Sequence, residues 1–438
     1  MSKGNQKETA NGESTILDVA VVGGGPAGIS ACVELSKSPK LKVALFESDE
    51  GLGGIPRASH ILFFGFRDLK RMRSGRAYAR KLEQLIRKTS VEIHTGATVL
   101  NIIPGSPGEL HQMEVLSSQG VSSYHSRFII LATGCFETSR AARIIPGTRP
   151  AGIMTTGTLM ELVNLYRVTP GKRALIIGSE HVALETILTL RRAGTSIAGL
   201  VEQDPEVQTY PVIAKAMSFF FGFPIYKDTS VSTIFGDKRV EAVELVTKTN
   251  QSFQVDCDTV IVSGKFRAYS PLIDESPIEQ DPSTSGPVVD MNLMTSVSNI
   301  FSAGNILRGA EMHDLCALEG KQVAQNILKR IKSGEGEAGE FISIRGEYPI
   351  RFVVPQKIIS AKIKPHKFSC LYPGVTLQVA HTLNNPVLEA WSNDERIWTG
   401  SFSRLIGNTR IPFPIHEFDW DMVDSVKGIT VKVRGADS

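Results

Sequence analysis

Between residues 15 and 50 the apolar positions fall into three blocks. Leu17 to Val22 is apolar except for Asp18, Ile29 to Ser36 places apolar residues at helical spacing, and Lys42 to Phe46 is a second short run that ends at Glu47. Short apolar runs bounded by glycine read as buried strands, so the order is strand, turn, helix, strand. The order returns farther on, with strand Arg173 to Ile177, a turn at Gly178, helix His181 to Ala193, strand Ser196 to Val201 and a terminal acid at Glu202. Both copies then continue alike. After the first come His111 to Leu116, Val121 to His125 and the strand Phe128 to Leu131, closing on Ala132-Thr133-Gly134; after the second come Val240 to Thr247, Phe253 to Val255 and Thr259 to Val262, closing on Ser263-Gly264. A supersecondary pattern repeated at this length predicts a duplicated α/β fold with two Rossmann-like dinucleotide-binding domains.

The turn of the first copy reads Gly23-Gly24-Gly25-Pro26-Ala27-Gly28. Gly23 permits the tight turn, Gly25 lets backbone approach a pyrophosphate, and Gly28 lets helix pack on strand, while the helix N-terminus offers N–H groups to phosphate. Glu47, nineteen positions after Gly28, is placed to accept adenosine ribose hydroxyls. The second turn, Gly178-Ser179-Glu180-His181-Val182-Ala183, keeps the nineteen-residue interval from Ala183 to Glu202 but puts a carboxylate where the second glycine belongs. Like-charge repulsion there makes NAD binding doubtful, and a retained scaffold without ligand stands beside weak NAD binding. Glu202 disfavours the 2′-phosphate of NADP.

Composition narrows the field. A chain of 438 residues accommodates two or three domains. Its 48 Lys and Arg against 45 Asp and Glu form no basic stripe, which argues against nucleic acid. No apolar run reaches membrane-spanning length and Met1 to Ser14 is polar, so a cytoplasmic protein without a membrane span is expected. The apolar stretches Ile61 to Phe66 and Phe219 to Pro224 are expected in the core. Cys32, Cys135, Cys257, Cys316 and Cys370 are scattered without a CxxC, so neither an iron–sulfur cluster nor another metal site is expected. Cys135, beside Gly134, is expected to be a buried, inert thiol.

The set Gly23 to Gly28, Glu47, Gly53-Gly54, Ala132-Thr133-Gly134 and Ala303-Gly304-Asn305 resembles the two-dinucleotide-domain flavoproteins of the pyridine nucleotide-disulfide oxidoreductase superfamily over residues 17 to 330. The resemblance implies FAD along the first domain. Its pyrophosphate would lie on Gly23, Gly25, Pro26, Ala27 and Gly28, its ribose on Glu47, and its isoalloxazine near Gly54 and Gly304 to Asp314, with Thr133 and Gly134 at the same crevice. The family usually has Asp after the last glycine, and Asn305 can still make one hydrogen bond to the cofactor. Disulfide reductases of the superfamily carry a cysteine pair after the Gly-Gly turn or in the second domain. Here the first stretch reads Ile55-Pro56-Arg57-Ala58-Ser59-His60-Ile61 and no CxxC exists, so disulfide reduction is rejected. A closer similarity, carried by Gly53-Gly54-Ile55-Pro56, His60, Gly65-Phe66, Arg67-Asp68, Gly152 to Gly157, Met312 to Leu315 and Glu319-Gly320, is to the flavin subunits of opine dehydrogenase and hydrogen cyanide synthase. Those enzymes oxidise C–N or C–O bonds.

His313 to Lys329 carries Leu315, Leu318, Val323 and Ile327 at helical spacing, with Asp314 expected to cap its start. In the family that helix directs its positive end at the flavin, where it stabilises negative charge. His313 is the first candidate for proton acceptor and His60 the second, because imidazole titrates near neutral pH; a structural role for either is the alternative. Arg57 is a candidate clamp for a substrate carboxylate.

The expected organisation is a flavin domain in two parts, 15–150 and 265–335, an inserted NAD(P)-type domain at 151–264, a hydrophilic linker at 332–340 and a β-rich C-terminal domain at 341–438. The C-terminal part departs from the superfamily's α/β dimerisation domain. Two functions remain open: a self-contained FAD-dependent dehydrogenase or oxidase of a small amine, amino acid or hydroxyl compound, and a flavin-bearing electron-transfer subunit or NADH-dependent reductase working with a partner protein. An oligomer is compatible with either.

Overall fold

The computed structural model describes residues 15–334, 341–359, 374–407 and 409–435. Strand β1 (Thr15–Val22) leads through the glycine turn into helix α1 (Pro26–Leu35) and back through β2 (Val43–Phe46). Helix α2 (Gly75–Ile86), strands β3 (Glu92–His94), β4 (Thr98–Ile103), β5 (His111–Ser117) and β6 (Gly120–Leu131) follow. The two runs expected at 121–125 and 128–131 form the single strand β6. It does two jobs: its first half pairs antiparallel with β5, and its second half pairs parallel with β17 (Ile300–Ser302), the strand that brings the chain back after the insertion. The seven-stranded sheet runs β3-β2-β1-β6-β5-β4, with β17 beside β6.

The crossings are made by β7 (Cys135–Glu137) and, on the return, β16 (Phe266–Ala268), which pair antiparallel. Between them β8 (Ile153–Thr155), α3 (Thr156–Asn164), β9 (Arg173–Ile177), α4 (His181–Arg192), β10 (Ser196–Val201), α5 (Pro211–Phe221), β11 (Ile225–Tyr226) and β15 (Thr259–Val262) build a parallel five-stranded sheet, β11-β10-β9-β15-β8. The meander β12 (Thr229–Gly236), β13 (Val240–Thr247) and β14 (Ser252–Asp256) stands beside it as a separate sheet. After the short helix α6 (Pro271–Asp274), helix α7 (His313–Ser333) packs across α1.

This packing rests on absent side chains. A Cβ on Gly28 would lie 1.9 Å from the Gly23 carbonyl oxygen, and one on Gly320 would lie 1.9 Å from that of Ala27. Turn, α1 and α7 therefore meet backbone to backbone, over a core that runs from Leu17 through Phe46, Phe128 and Phe301 to Ile327.

The C-terminal region is β throughout its described residues: β18 (Phe341–Gly346), β19 (Ile350–Val354), β20 (Lys357–Ile359), β21 (Thr376–Val379), β22 (Leu383–Asn384), β23 (Val387–Ser392), β24 (Glu395–Ser401), β25 (Arg404–Leu405), β26 (Ile411–Pro412) and β27 (Ile429–Arg434). It has its own core, yet Phe352 and Val354 of β19 belong to the core of the first sheet. Gln356 fixes the contact: its backbone N–H donates to the Val289 carbonyl and its side-chain oxygen accepts from the Val289 N–H, both at 3.1 Å. Cys370 and residues 335–340 of the expected linker lie outside the described residues.

Two apolar stretches expected in the core are largely at the surface. Leu62, Phe63 and Phe66 are 56%, 76% and 62% exposed, and Phe219 and Phe220 are 83% and 78% exposed, whereas Phe64, Phe221 and Phe223 turn inward. The reason is local geometry. Residues 60–73 form an irregular loop without periodic burial, and α5 buries only Ala214 fully, which leaves Phe219 and Phe220 on the outer face.

The backbone contact between α1 and α7 yields a stability prediction. Gly320→Ala must push the two helices apart and should cost about 1–3 kcal/mol, as overpacking does. The check is a melting temperature lowered by several degrees; an unchanged value would show that the helices are free to separate.

Candidate functional site

Three backbone segments converge on the N-terminus of α1. Gly23, at φ +109°, could not carry a side chain, because a Cβ would meet the Ala132 carbonyl oxygen at 2.3 Å. Gly54, at φ +58°, brings the next loop onto Gly25, and Gly304, at φ +89°, brings the third segment so near Ala27 that a Cβ on it would lie 3.0 Å from the Ala27 methyl. No side chain caps α1 and Pro26 opens it, so its first-turn N–H groups remain available. A Cβ on Gly25 would meet nothing within 4 Å. That open space over an uncapped helix start fits a diphosphate.

Glu47 stands at the end of β2 as spacing predicts. Its Oε2 accepts the Gly24 N–H at 2.6 Å and its Oε1 the Asp49 N–H at 2.8 Å. Oε1 also accepts the Ser48 hydroxyl at 3.1 Å, so it is Oε2 that retains a lone pair for a ribose hydroxyl. Thr133 donates its hydroxyl to the Tyr269 carbonyl at 2.9 Å, and Gly134, at φ +78°, leaves open space above it. Asn305 is buried, and its Oδ1 accepts the Glu311 N–H at 3.1 Å and the Cys316 thiol at 2.9 Å. What it can still offer a cofactor is the amide N–H, a donor suited to phosphate or hydroxyl oxygen.

Asn305 also joins two thiols 181 residues apart in sequence, since Cys135 hydrogen-bonds the same side chain. Nothing in the sequence pattern signals this pairing. Burial pushes the Cys135 thiol up to about 12 and that of Cys316 well above its ordinary range, so both remain protonated.

The start of α7 differs from expectation. Its N-cap is Met312, and Asp314 lies one residue inside the helix, where it is not a cap. The reason is that Asp314 Oδ2 faces the loop before α2, accepting the Arg67 backbone N–H at 3.1 Å and pairing with the Arg67 guanidinium at 3.4 Å. His313 is half-buried with its ring stacked on Phe64, centroids 5.3 Å apart and planes 18° apart. Burial lowers its pKa to about 4, against the opposing charge of Asp314, so the ring is neutral near pH 7. Behind the helix, Glu319 accepts the Gly304 N–H at 2.9 Å and pairs with Arg308 at 2.6 Å, both side chains being buried.

His60 and Arg57 lie elsewhere. Arg57 folds back on its own loop, donating to Asp49 at 3.0 Å and to the Gly51 carbonyl at 2.8 Å. The His60 segment is docked on α4: Glu185 accepts the His60 N–H at 3.0 Å and the Ser59 hydroxyl at 2.8 Å. Burial, then the charges of Arg192, Arg76 and Arg167, lower the His60 pKa. Asn164 of α3 reinforces the junction by donating to the Ala58 carbonyl at 2.7 Å.

In the second copy Gly178, at φ +100°, repeats the tight turn, and the substitutions then reshape what lies above it. The Ser179 hydroxyl donates to buried Glu202, whose other oxygen accepts the Asp204 N–H at 3.0 Å. Glu180 turns across the crevice. Its carboxylate accepts the Lys265 N–H at 2.9 Å and sits where a Cβ on Gly264 would fall, at 2.4 Å. Beneath it, Glu137 accepts the N–H groups of Gly157 at 2.7 Å and Gly264 at 2.9 Å, and burial raises its pKa. Among the described residues no helix is long and apolar enough to cross a membrane.

Comparison with known proteins agrees with the geometry of the paired sheets. The family model for pyridine nucleotide-disulphide oxidoreductases matches residues 17–327. The chain is similar to a ferredoxin–NADP reductase of Ligilactobacillus salivarius, 22% identical over 333 residues, which are 73% of this chain and 93% of that protein. In structure it is similar to thioredoxin reductase of T. acidophilum, with a TM-score of 0.61 at 20% identity over 73% of this chain and all of that one. It is also similar to L-proline dehydrogenase of P. horikoshii, with a TM-score of 0.51 at 22% identity over 76% of this chain and 59% of that one. The β-rich C-terminal region lies beyond the family match.

The room above Gly25 separates folding from binding. Gly25→Val should fold yet lose flavin, because the new side chain occupies the space a diphosphate needs. Flavin absorbance per mole of purified protein should fall at least tenfold; a fully yellow variant would move the site elsewhere.

Proposed function

The chain belongs to the pyridine nucleotide-disulphide oxidoreductase family, and within it we propose a dehydrogenase that takes hydride from a small amine, amino acid or hydroxyl compound. It is an FAD-dependent oxidoreductase with a thioredoxin-reductase-like fold. One observation carries the choice of reductant. The Glu180 carboxylate lies over Gly264, where a nicotinamide dinucleotide would bring its own negative charge, and like charges at that separation repel. The domain division given by the sequence, 15–150 with 265–335 around 151–264 and a C-terminal unit from 341, belongs to the same proposal.

In this reading Gly23, Gly25, Pro26, Ala27 and Gly28 hold the FAD diphosphate, Glu47 the adenosine ribose, and Gly54, Thr133, Gly134, Gly304 and Asn305 line the remaining length. FAD supplies the hydride acceptor when bound. The protein's part is placement and proton handling. Neutral His313, fixed against Phe64, accepts the proton from the substrate N–H or O–H as its hydride departs. Asp314, held by Arg67, fixes the first turn of α7 and thereby the imidazole. His60 and Arg57 act as positioning residues, one docking the flavin-side loop on α4 and the other shaping the Asp49–Gly51 turn.

The substrate class follows the resemblance of Gly53-Gly54-Ile55-Pro56, His60 and Met312 to Leu315 to flavin subunits that oxidise C–N or C–O bonds, whereas the matched relatives are named as reductases. The structural likeness to L-proline dehydrogenase is a likeness of fold. A second reading, an NADH-dependent reductase with a partner protein, draws on the relative named ferredoxin–NADP reductase. In either case a partner redox protein can be the final acceptor.

His313→Ala should retain FAD and slow substrate-driven flavin reduction by about 10²- to 10⁴-fold, the usual contribution of a general base. The base must be unprotonated, so kcat/KM should stay level from neutral pH downward and fall only as pH passes through about 4, a limb absent from the variant. Unchanged kinetics would make His313 structural. Anaerobic bleaching separates the two readings. A panel of amines, amino acids and polyols should bleach the flavin where NADH does not, and bleaching by NADH alone would establish the reductase. Glu180→Gly should then tighten NADH binding at least about tenfold by removing the opposed charge. An unmoved affinity would trace the loss to Ser179 and Glu202 instead.

A further inference from the structure

A cleft of about 640 Å³ opens where the second sheet, the return segment and the C-terminal β region meet. Its wall carries five cations, Arg143, Lys265, Arg267, Arg308 and Arg351, and one carboxylate, Glu180. We propose that this cleft binds a small molecule carrying two or more negative charges, a phosphorylated or polycarboxylic compound, in place of a dinucleotide.

The cations divide into two groups. Arg143 is fixed in the wall, its guanidinium donating to the carbonyls of Ser263, at 2.9 Å, and Gly264 and to Thr138. Arg308 is compensated from behind by Glu319. Lys265, Arg267 and Arg351 are exposed and come from different parts of the fold, Lys265 just before the crossing strand β16, Arg267 within it and Arg351 from β19. Arg267 is aimed by the Ser285 hydroxyl, at 2.6 Å, and Arg351 by the Gln378 side chain, at 3.2 Å. Glu180 offsets one charge at most, and its Oε1 already accepts a backbone N–H. Like charges gathered in a concave wall raise the local potential and draw in an anion.

The shape of the crevice decides against a dinucleotide. The Glu180 carboxylate holds the position over Gly264, both oxygens of Glu202 already accept protein donors, and Tyr210 stacks on His181 with centroids 5.0 Å apart beside the start of α4. Positive charge has thus moved from the helix N-terminus to the opposite wall, which includes a residue of the C-terminal region. A volume of this size is that of a small-molecule site.

The test is isothermal titration of the FAD-loaded full chain at low ionic strength with inorganic pyrophosphate and, separately, with citrate. We expect one saturable site. Pyrophosphate alone would assign phosphates, citrate alone carboxylates, and both a site that reads charge. Affinity should fall at least tenfold in the double variant K265A/R267A and remain unchanged in K70A/R71A, which removes two exposed cations outside the cleft. FAD content of each variant verifies folding. Absence of saturable binding, equal binding in both variants, or competitive displacement of the anion by NADH would overturn the proposal. Substrate-driven bleaching is measured apart, so failure of the dehydrogenase reading leaves this result standing, and the reverse also holds.

Discussion

Backbone-to-backbone approach at the start of α1 is the constraint on which the rest depends. Three chain segments must reach one helix N-terminus, and each reaches it through a glycine whose Cβ would collide or whose φ is positive: Gly23 against Ala132, Gly54 against Gly25, Gly304 against Ala27. Because those contacts are made by main chain, the helix N–H groups stay clear of side chains and uncapped. The same closeness lets α7 lie on α1 through Gly320, which carries His313 and Asp314 to the loop at Arg67 and buries the Arg308–Glu319 pair behind it. Removing one partner of such a buried pair strands a charge, so this region tolerates little substitution.

The second copy keeps the scaffold and changes the lining. Gly24 and Ser179 are equivalent positions, and the difference between them is instructive. At the first, a backbone N–H meets Glu47 and no side chain would fit, since a Cβ would lie 2.7 Å from Leu52; at the second, a hydroxyl fills the space and engages Glu202. One position later, open space at Gly25 is replaced by the Glu180 carboxylate reaching Lys265. Two neighbouring substitutions thus convert an anion-accepting turn into an anion-repelling one while leaving strand pairing untouched. The C-terminal β region adds to the change, docking through Gln356 on Val289, reaching Glu311 with Arg410, and contributing Arg351 to the cationic wall.

Much of this was legible in the chain. The repeat in hydrophobic pattern placed strands β9, β10 and β15 with the expected ends, because parallel strands buried on both faces appear as unbroken apolar runs between glycines, and the antiparallel β13 of the meander also ends where expected. Residues 61–66 and 219–224 misled for the opposite reason. Apolar character without a period does not say which side chains face inward, and the loop and α5 turn several outward. His60 invited a catalytic role from its place after Gly54, yet its loop is claimed by Glu185, more than a hundred residues away. Arg57 likewise is taken by a carboxylate eight residues back.

Local rules settled what depends on a few neighbouring residues: which turns need glycine, where an acid ends a strand, which stretches are strand or helix, and that no cysteine pair follows the Gly-Gly turn. Those are short-range properties of backbone conformation and period, and they sufficed for the double dinucleotide-binding layout. Only the assembled chain decided which distant groups share a space. It joined Cys135 to Cys316 through Asn305, set the imidazole of His313 on Phe64 in surroundings dry enough to keep it neutral, and gathered cations from three parts of the fold around Glu180. Such encounters follow from how sheets and helices stack, and burial and electrostatic energy, unlike hydrophobic period, are fixed by neighbours in space.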